Sequence, residues 1–293
     1  MKNNLKIQFF SLFLKIVLLG IVFSIVPPAY SSQHSNPDPT ETDWDIHFDQ
    51  RIRAPYPALR FYNHNYFLFY DEPVKFQISF QYRLLLPEKS DDQTGFHLAY
   101  TQKSLWDLYD WDNSAPFRES NYSPELFYRY DYAEEGAVIE QWQVGYQHES
   151  NGLGGELREK NRSWDRIYVQ TTFPLWKNRL NLKLKLWYPY NVADENHDIT
   201  KYMGFGELIL ETGFFRKFVQ TGFQLILRKG WSNDPEKFSI ELNRTIGPFV
   251  LGSGNVVFPL AFFIQVWYGY GETLLNYDKS YLKIRGGISL VLD

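Results

Sequence analysis

Along most of the chain apolar and polar residues alternate one for one. Val74, Phe76, Ile78, Phe80, Tyr82 and Leu84 alternate with Lys75, Gln77, Ser79, Gln81 and Arg83. Leu180, Leu182, Leu184 and Leu186 alternate with Asn181, Lys183 and Lys185, and Val219, Thr221, Phe223, Leu225 and Leu227 mainly with glutamines and Arg228. Phe258, Leu260, Phe262, Ile264, Val266 and Tyr268 make another apolar phase, and Leu282, Ile284, Ile288, Leu290 and Leu292 the last. A period of two marks strands whose two faces meet different surroundings. Weaker runs near 59–70, 95–108, 125–132, 202–214 and 237–246, with two more between Val144 and Tyr168, predict about twelve strands. No long helical period occurs.

Alternation of this kind fits either a soluble β-sandwich or β-barrel, or a barrel in a membrane. Several runs exceed the ~5–6 residues of a mean soluble strand and match the ~9–11 of a tilted membrane strand. Many begin or end in an aromatic, as at Tyr66, Trp106, Tyr168, Trp187 and Tyr268, where the girdles at the two bilayer interfaces would lie. The polar phase carries long Lys, Arg, Gln and Glu side chains on strand after strand, which suits a hydrated lumen. These features favour an all-β fold, a transmembrane antiparallel β-barrel.

Composition sharpens the choice. Aromatics are 18% of residues and cysteine is absent, which excludes a disulfide framework and any thiolate metal or redox site. A mean hydropathy of −0.39 is too polar for a bundle of membrane helices. The first residues read as an export signal: Lys2, Lys6 and Lys15, then the apolar Ile16 to Val26, then Ala29-Tyr30-Ser31 as a cleavage site. That apolar core of about 11 residues is short of the ~20 needed to span a bilayer. The expected organisation is a signal peptide at 1–31, a polar lead-in at 32–55 and a barrel over 56–293. Removing the signal takes the net charge from −4 to about −7, since only lysines are lost. A negative surface with no basic cluster argues against nucleic acid as a partner.

The stretch Val144–Tyr168 holds the candidate chemistry. His148 and Ser150 share the apolar phase of Trp142, Val144 and Tyr146, opposite Gln141, Gln143 and Gln147. Asp165 shares the phase of Ile167, Val169 and Phe173 on the next run. A serine hydroxyl needs a base, and an imidazole needs a third group to fix its tautomer and orientation. His148, Ser150 and Asp165 supply those three types across one hairpin. By itself H-x-S is a weak signal, with an interfacial histidine and a solvated rim aspartate as the bland alternative. Three polar groups on an otherwise apolar face ask for more, because polar groups facing lipid are costly and usually functional.

The residues also resemble a family. H-E-S-N-G followed by S-W-D-R-I-Y is similar to the signature of the outer membrane phospholipase A family, H-x-S-N-G and then S-R-S-W-N-R-x-Y. Y-T-Q-K-S-L-W, P-F-R-E-S-N-Y-S-P-E-L-F, D-I-T-K-Y-M-G and Y-G-Y-G-E-T-L-L-N-Y resemble further family segments in family order. The resemblance implies a twelve-stranded barrel in the bacterial outer membrane with its site on the outer wall. It implies hydrolysis of acyl esters of phospholipids and lysophospholipids, dependence on calcium and activation by homodimerisation. His148 matches the base, Ser150 the nucleophile and Gly152 the residue whose N–H binds the oxyanion. Ser114, Leu153, Asn161 and Glu195 match calcium positions, with Ser114 reaching the partner subunit's ion, and Gln102 matches a glutamine bonding across the dimer. Two departures stand out: Asp165 replaces the usual Asn, and Asn161 the usual loop Ser, in a loop about three residues longer.

Other oxygen donors are plentiful: Glu156, Glu159, Asp194 and Asp198 beside Asn161 and Glu195. The D-E-N-H-D run lacks the Gly and the final Glu of an EF-hand, and its bland alternative is a solvated hairpin tip. Gly152, Gly154 and Gly155 make no phosphate loop, since no G-K-[ST] follows. The leading expectation is a calcium-dependent outer-membrane phospholipase. Its rivals are a catalytically inactive barrel acting as pore or scaffold, and a soluble exported esterase.

Overall fold

The computed structural model describes residues 59–291, apart from 71, 85–93, 133–136, 176–179, 217–218, 252–255 and 259. The export signal and the lead-in expected over 1–55 lie outside the described residues, as does the side chain of Glu156.

The alternating runs form one antiparallel sheet that closes on itself. β1 (Leu59–Phe61) and β2 (Asn65–Tyr70) both pair with β3 (Val74–Arg83), either side of a short break. β4 (Gly95–Trp106), β5 (Phe117–Asp131), β6 (Gln141–Ser150), β7 (Ser163–Leu175) and β8 (Leu180–Val192) follow. Then come β9 (Gly206–Arg216), β10 (Val219–Lys229) and β11 (Phe238–Leu251), whose far side takes both β12 (Val256–Phe258) and β13 (Leu260–Gly269). β14 (Tyr281–Leu290) pairs back onto β2 and shuts the barrel. With β1–β2 and β12–β13 each counted as one interrupted strand, the wall has twelve strands, in agreement with the alternation.

The two faces are inverted relative to a soluble protein. On β3, Ser79 is 0% exposed and Lys75, Gln77, Gln81 and Arg83 are buried, while Ile78 is 49% exposed. Apolar side chains therefore line the outside and polar ones the lumen, the arrangement of a membrane barrel. The lumen is filled by bonds between its own side chains. Lys75 Nζ donates to Gln265 (2.9 Å), which donates to Glu241 and Asn243 (both 3.0 Å). Lys185 Nζ donates to Gln147 (3.0 Å), Arg228 pairs with Glu207 (2.8 Å) and Arg285 with Glu272. Each ion needs its partner: breaking a buried pair leaves a bare charge at a cost of about 3–5 kcal/mol.

One end of the barrel carries the connections 107–116, 151–162 and 193–205, and thus every loop in which candidate site residues were expected. There the loops fold inward. Ile199, Leu274 and Tyr277 pack with Trp164 and Trp187 as an apolar cap, and Tyr277 Oη donates to Asp198 (2.6 Å). The D-E-N-H-D segment is solvated only in part: Asp194 and His197 are exposed, but Asn196, and Ile199 just beyond the segment, are 0% exposed.

Strand limits depart from expectation at β5, at β9 and at β11, the last running to Leu251 rather than 246. β5 starts at Phe117, well before the expected 125, because F-R-E-S-N-Y-S-P breaks the apolar alternation and contains Pro124. The register places Tyr122 opposite Ser150 and Glu125 opposite Gln147. Pairing lapses between those points, where proline has no N–H to give. The expected run 202–214 begins instead with a helical turn, Thr200–Met203, before β9.

Candidate active site

β6 and β7 form the hairpin that carries the candidate residues. Their register sets His148 opposite Asp165 and Ser150 opposite Ser163. Neighbours in the same phase are exposed, Val144 by 46% and Ile167 by 54%, so His148 and Ser150 lie on the outer wall. From the lumen side Glu149 braces the hairpin by accepting from Trp164 Nε1 (3.0 Å) and Arg166 Nη2 (2.7 Å).

His148 Nδ1 lies 2.6 Å from Asp165 Oδ1. That contact leaves Nε2 as the ring nitrogen for a proton from Ser150. Among the described residues no hydrogen bond joins Ser150 Oγ to the ring; such bonds commonly tighten only when substrate binds. Asp165 is 6% exposed and accepts two further bonds, from Tyr146 Oη (2.9 Å) and Asn191 Nδ2 (2.5 Å). Neither partner was singled out from the sequence.

The loop after Ser150 is closed by Asn151. Its N–H donates to the Arg162 carbonyl (3.0 Å) and its Nδ2 to the Lys160 carbonyl (2.7 Å), while its Oδ1 accepts the Arg162 N–H (3.0 Å). Next in line, Gly152 has φ +66 and thus a left-handed backbone; a Cβ there would stand 3.0 Å from the Tyr122 ring. Both conditions favour glycine. Asn196 adds a second clamp, accepting the Ser163 N–H (3.2 Å) and donating to its carbonyl (3.1 Å), which steadies the residue opposite Ser150. The charged run around Asn196 concealed this role in the sequence.

Of the calcium candidates, Leu153 and Asn161 lie at the two ends of the 151–162 loop, and Glu195 reaches that loop through an ion pair with Arg158 (3.4 Å). Ser114 is exposed on the separate 107–116 loop, in a left-handed conformation. Asp198 is turned toward Tyr277 and Lys201. No group of three or more His, Asp or Glu side chains able to hold a metal occurs among the described residues. Leu153, Asn161 and Glu195 each offer oxygen donors, the chemistry a hard cation takes, and Arg158 already sets a positive charge on Glu195.

Gln102 belongs to the outer phase of β4. Register carries it opposite Tyr122, which is itself opposite Ser150, so it shares a row with the candidate nucleophile. Its Oε1 accepts from Tyr100 Oη (3.0 Å) and its Nε2 donates to Ser104 Oγ (3.1 Å).

The family model described as Phospholipase A1 matches residues 48–290. Phospholipase A1 of Klebsiella pneumoniae is 33% identical over 222 residues, covering 75% of this chain and 70% of that protein. The Escherichia coli K12 protein of the same name is 32% identical over the same coverage. Among solved structures, outer membrane phospholipase A from Escherichia coli superposes with a TM-score of 0.65 at 26% identity, covering 82% of this chain and 95% of that one. A calcium-bound dimer of the Salmonella typhi outer membrane phospholipase matches with the same TM-score and identity, over 81% and 93%. On the family match, the closed barrel and these relatives, the chain belongs to the Phospholipase A1 family and is an outer-membrane phospholipase.

Proposed function

We propose that the chain hydrolyses acyl esters of phospholipids and lysophospholipids with Ser150, His148 and Asp165 as its triad, that it needs calcium, and that it acts as a homodimer. The observation that carries the triad is the 2.6 Å contact of His148 with Asp165 on the lipid-facing phase of the β6–β7 hairpin. A substrate whose chains stay in the bilayer reaches that wall laterally.

In this mechanism His148 Nε2 takes the Ser150 proton as Oγ bonds to the ester carbon, and the carbonyl oxygen becomes an oxyanion facing the Gly152 N–H. Collapse breaks the bond to the lipid alcohol, which leaves with the proton from His148. Water then gives its proton to the same nitrogen and its oxygen to the acyl carbon, releasing fatty acid and Ser150. Asp165 keeps the proton of His148 on Nδ1 and stabilises the imidazolium. When bound, calcium would supply positive charge that stabilises the oxyanion, and oxygens of Leu153, Asn161 and Glu195, with Ser114 of the second copy, would hold it. The calcium-bound dimer of the Salmonella typhi relative supports both the ion and the pairing.

The test is phospholipid hydrolysis by detergent-refolded protein, with and without calcium, beside Ser150→Ala and Asp165→Asn. Activity that needs calcium and disappears in Ser150→Ala is expected, together with a loss of about tenfold or more in Asp165→Asn. Full turnover by Ser150→Ala would overturn the mechanism, and full turnover by Asp165→Asn would remove the charge from it.

A further inference from the structure

Asp165 is a carboxylate on the lipid-facing side of the wall, where unpartnered charge is expensive. His148 engages Oδ1 alone. The second oxygen, Oδ2, is taken by Asn191 Nδ2 at 2.5 Å, and Tyr146 Oη adds a bond to Oδ1 at 2.9 Å. We infer that Asn191, supported by Tyr146, is a positioning residue for the reaction: it holds the Asp165 carboxylate so that one oxygen faces His148.

The backbone is built for this. Register places His148, Asp165 and Asn191 in one row across β6, β7 and β8. On β8 the outward residues are even-numbered, as exposed Leu186 and Tyr188 show, so an unbroken strand would turn Asn191 into the lumen. The β7–β8 ladder shifts between Asp165 and Arg166, pairing Asp165 with Asn191 but Arg166 with Pro189. Tyr190 is the extra residue of this bulge. One inserted residue reverses the phase beyond it, and Asn191 comes out beside Asp165. Pro189 suits such a site because a bulge requires no N–H from it.

The inference rests on Asp165 as the acidic member of the triad. The alternative is a clamp that merely ties β7 to β8, and a double-mutant cycle separates the two. Asn191→Ala is expected to lower kcat by roughly ten- to a hundredfold, the range for a hydrogen bond to a charged group, with KM unchanged. In an Asp165→Asn background the same change is expected to cost less than about threefold, because the charge it supports is gone. Tyr146→Phe, which removes only the hydroxyl bonded to Asp165, should show the same dependence on residue 165 with a smaller loss. Refolding, followed by heat-modified gel mobility, should be as in the parent. An unchanged kcat in Asn191→Ala, or an equal loss in both backgrounds, would overturn the positioning role. Failure of the underlying reading looks different: Ser150→Ala would turn over like the parent if the triad were wrong, and Asp165→Asn if its charge were not used, whatever residue 191 is.

Discussion

Arg158 Nε lies 3.4 Å from a carboxylate oxygen of Glu195, joining the loop after β6 to the loop after β8. A cation tethered to the same chain thus occupies the acidic group proposed for calcium. Arg158 is mostly exposed, so the pair is screened and weak. Arg158→Ala is expected to tighten calcium binding by roughly two- to fivefold, and Glu195→Gln to weaken it. Terbium luminescence titration in detergent reads both; no change in either variant would exclude Glu195 from the ion's surroundings.

Gly152→Ala meets two obstacles, a left-handed backbone and a Tyr122 ring carbon 3.0 Å from the new methyl. The backbone is expected to relax and carry its N–H away from the oxyanion. Loss of one such donor corresponds to roughly 10²- to 10³-fold in kcat, with the barrel intact. Steady-state kinetics on refolded protein would show it, and wild-type turnover would count against this N–H.

Gln102 already has both ends of its amide bonded within one chain, to Tyr100 and Ser104. Those bonds compete with any made to a second copy. Tyr100→Phe and Ser104→Ala should therefore raise the dimer fraction, and Gln102→Ala lower it. Chemical crosslinking and sedimentation in detergent measure this; dimerisation indifferent to all three would place the interface elsewhere.

The apolar cap depends on pH through Asp198. Burial pushes its carboxyl up, but the Tyr277 hydrogen bond and the Lys201 and His197 charges outweigh burial and hold it below the usual carboxylate value. A lowered folded value contributes stability that is fully present above the unfolded value of about 3.9 and disappears as pH falls through the folded one. Asp198→Asn should flatten the melting temperature below about pH 4 relative to the parent. Parallel curves would mean that other carboxylates govern the acid limb.

Much of this molecule was legible without coordinates. Strict alternation along Val74–Leu84 or Leu180–Leu186 made strands, and the long polar phase made a lumen, since a period of two assigns faces wherever the strand is regular. Short spacing placed His148 and Ser150 on one side for the same reason. What the sequence could not carry were the breaks in that period. Pro124 hid the first half of β5, and the bulge at Asp165 turned Asn191 from lumen to membrane side, because phase beyond an inserted residue depends on how the neighbouring strand pairs. The D-E-N-H-D run offered carboxylate donors, with a solvated tip as the bland alternative; Asn196 within it is buried as a clamp on Ser163. Local composition reports a residue's preference for water or oil; which distant backbone group satisfies it is decided only when the wall closes and the loops fold over its mouth.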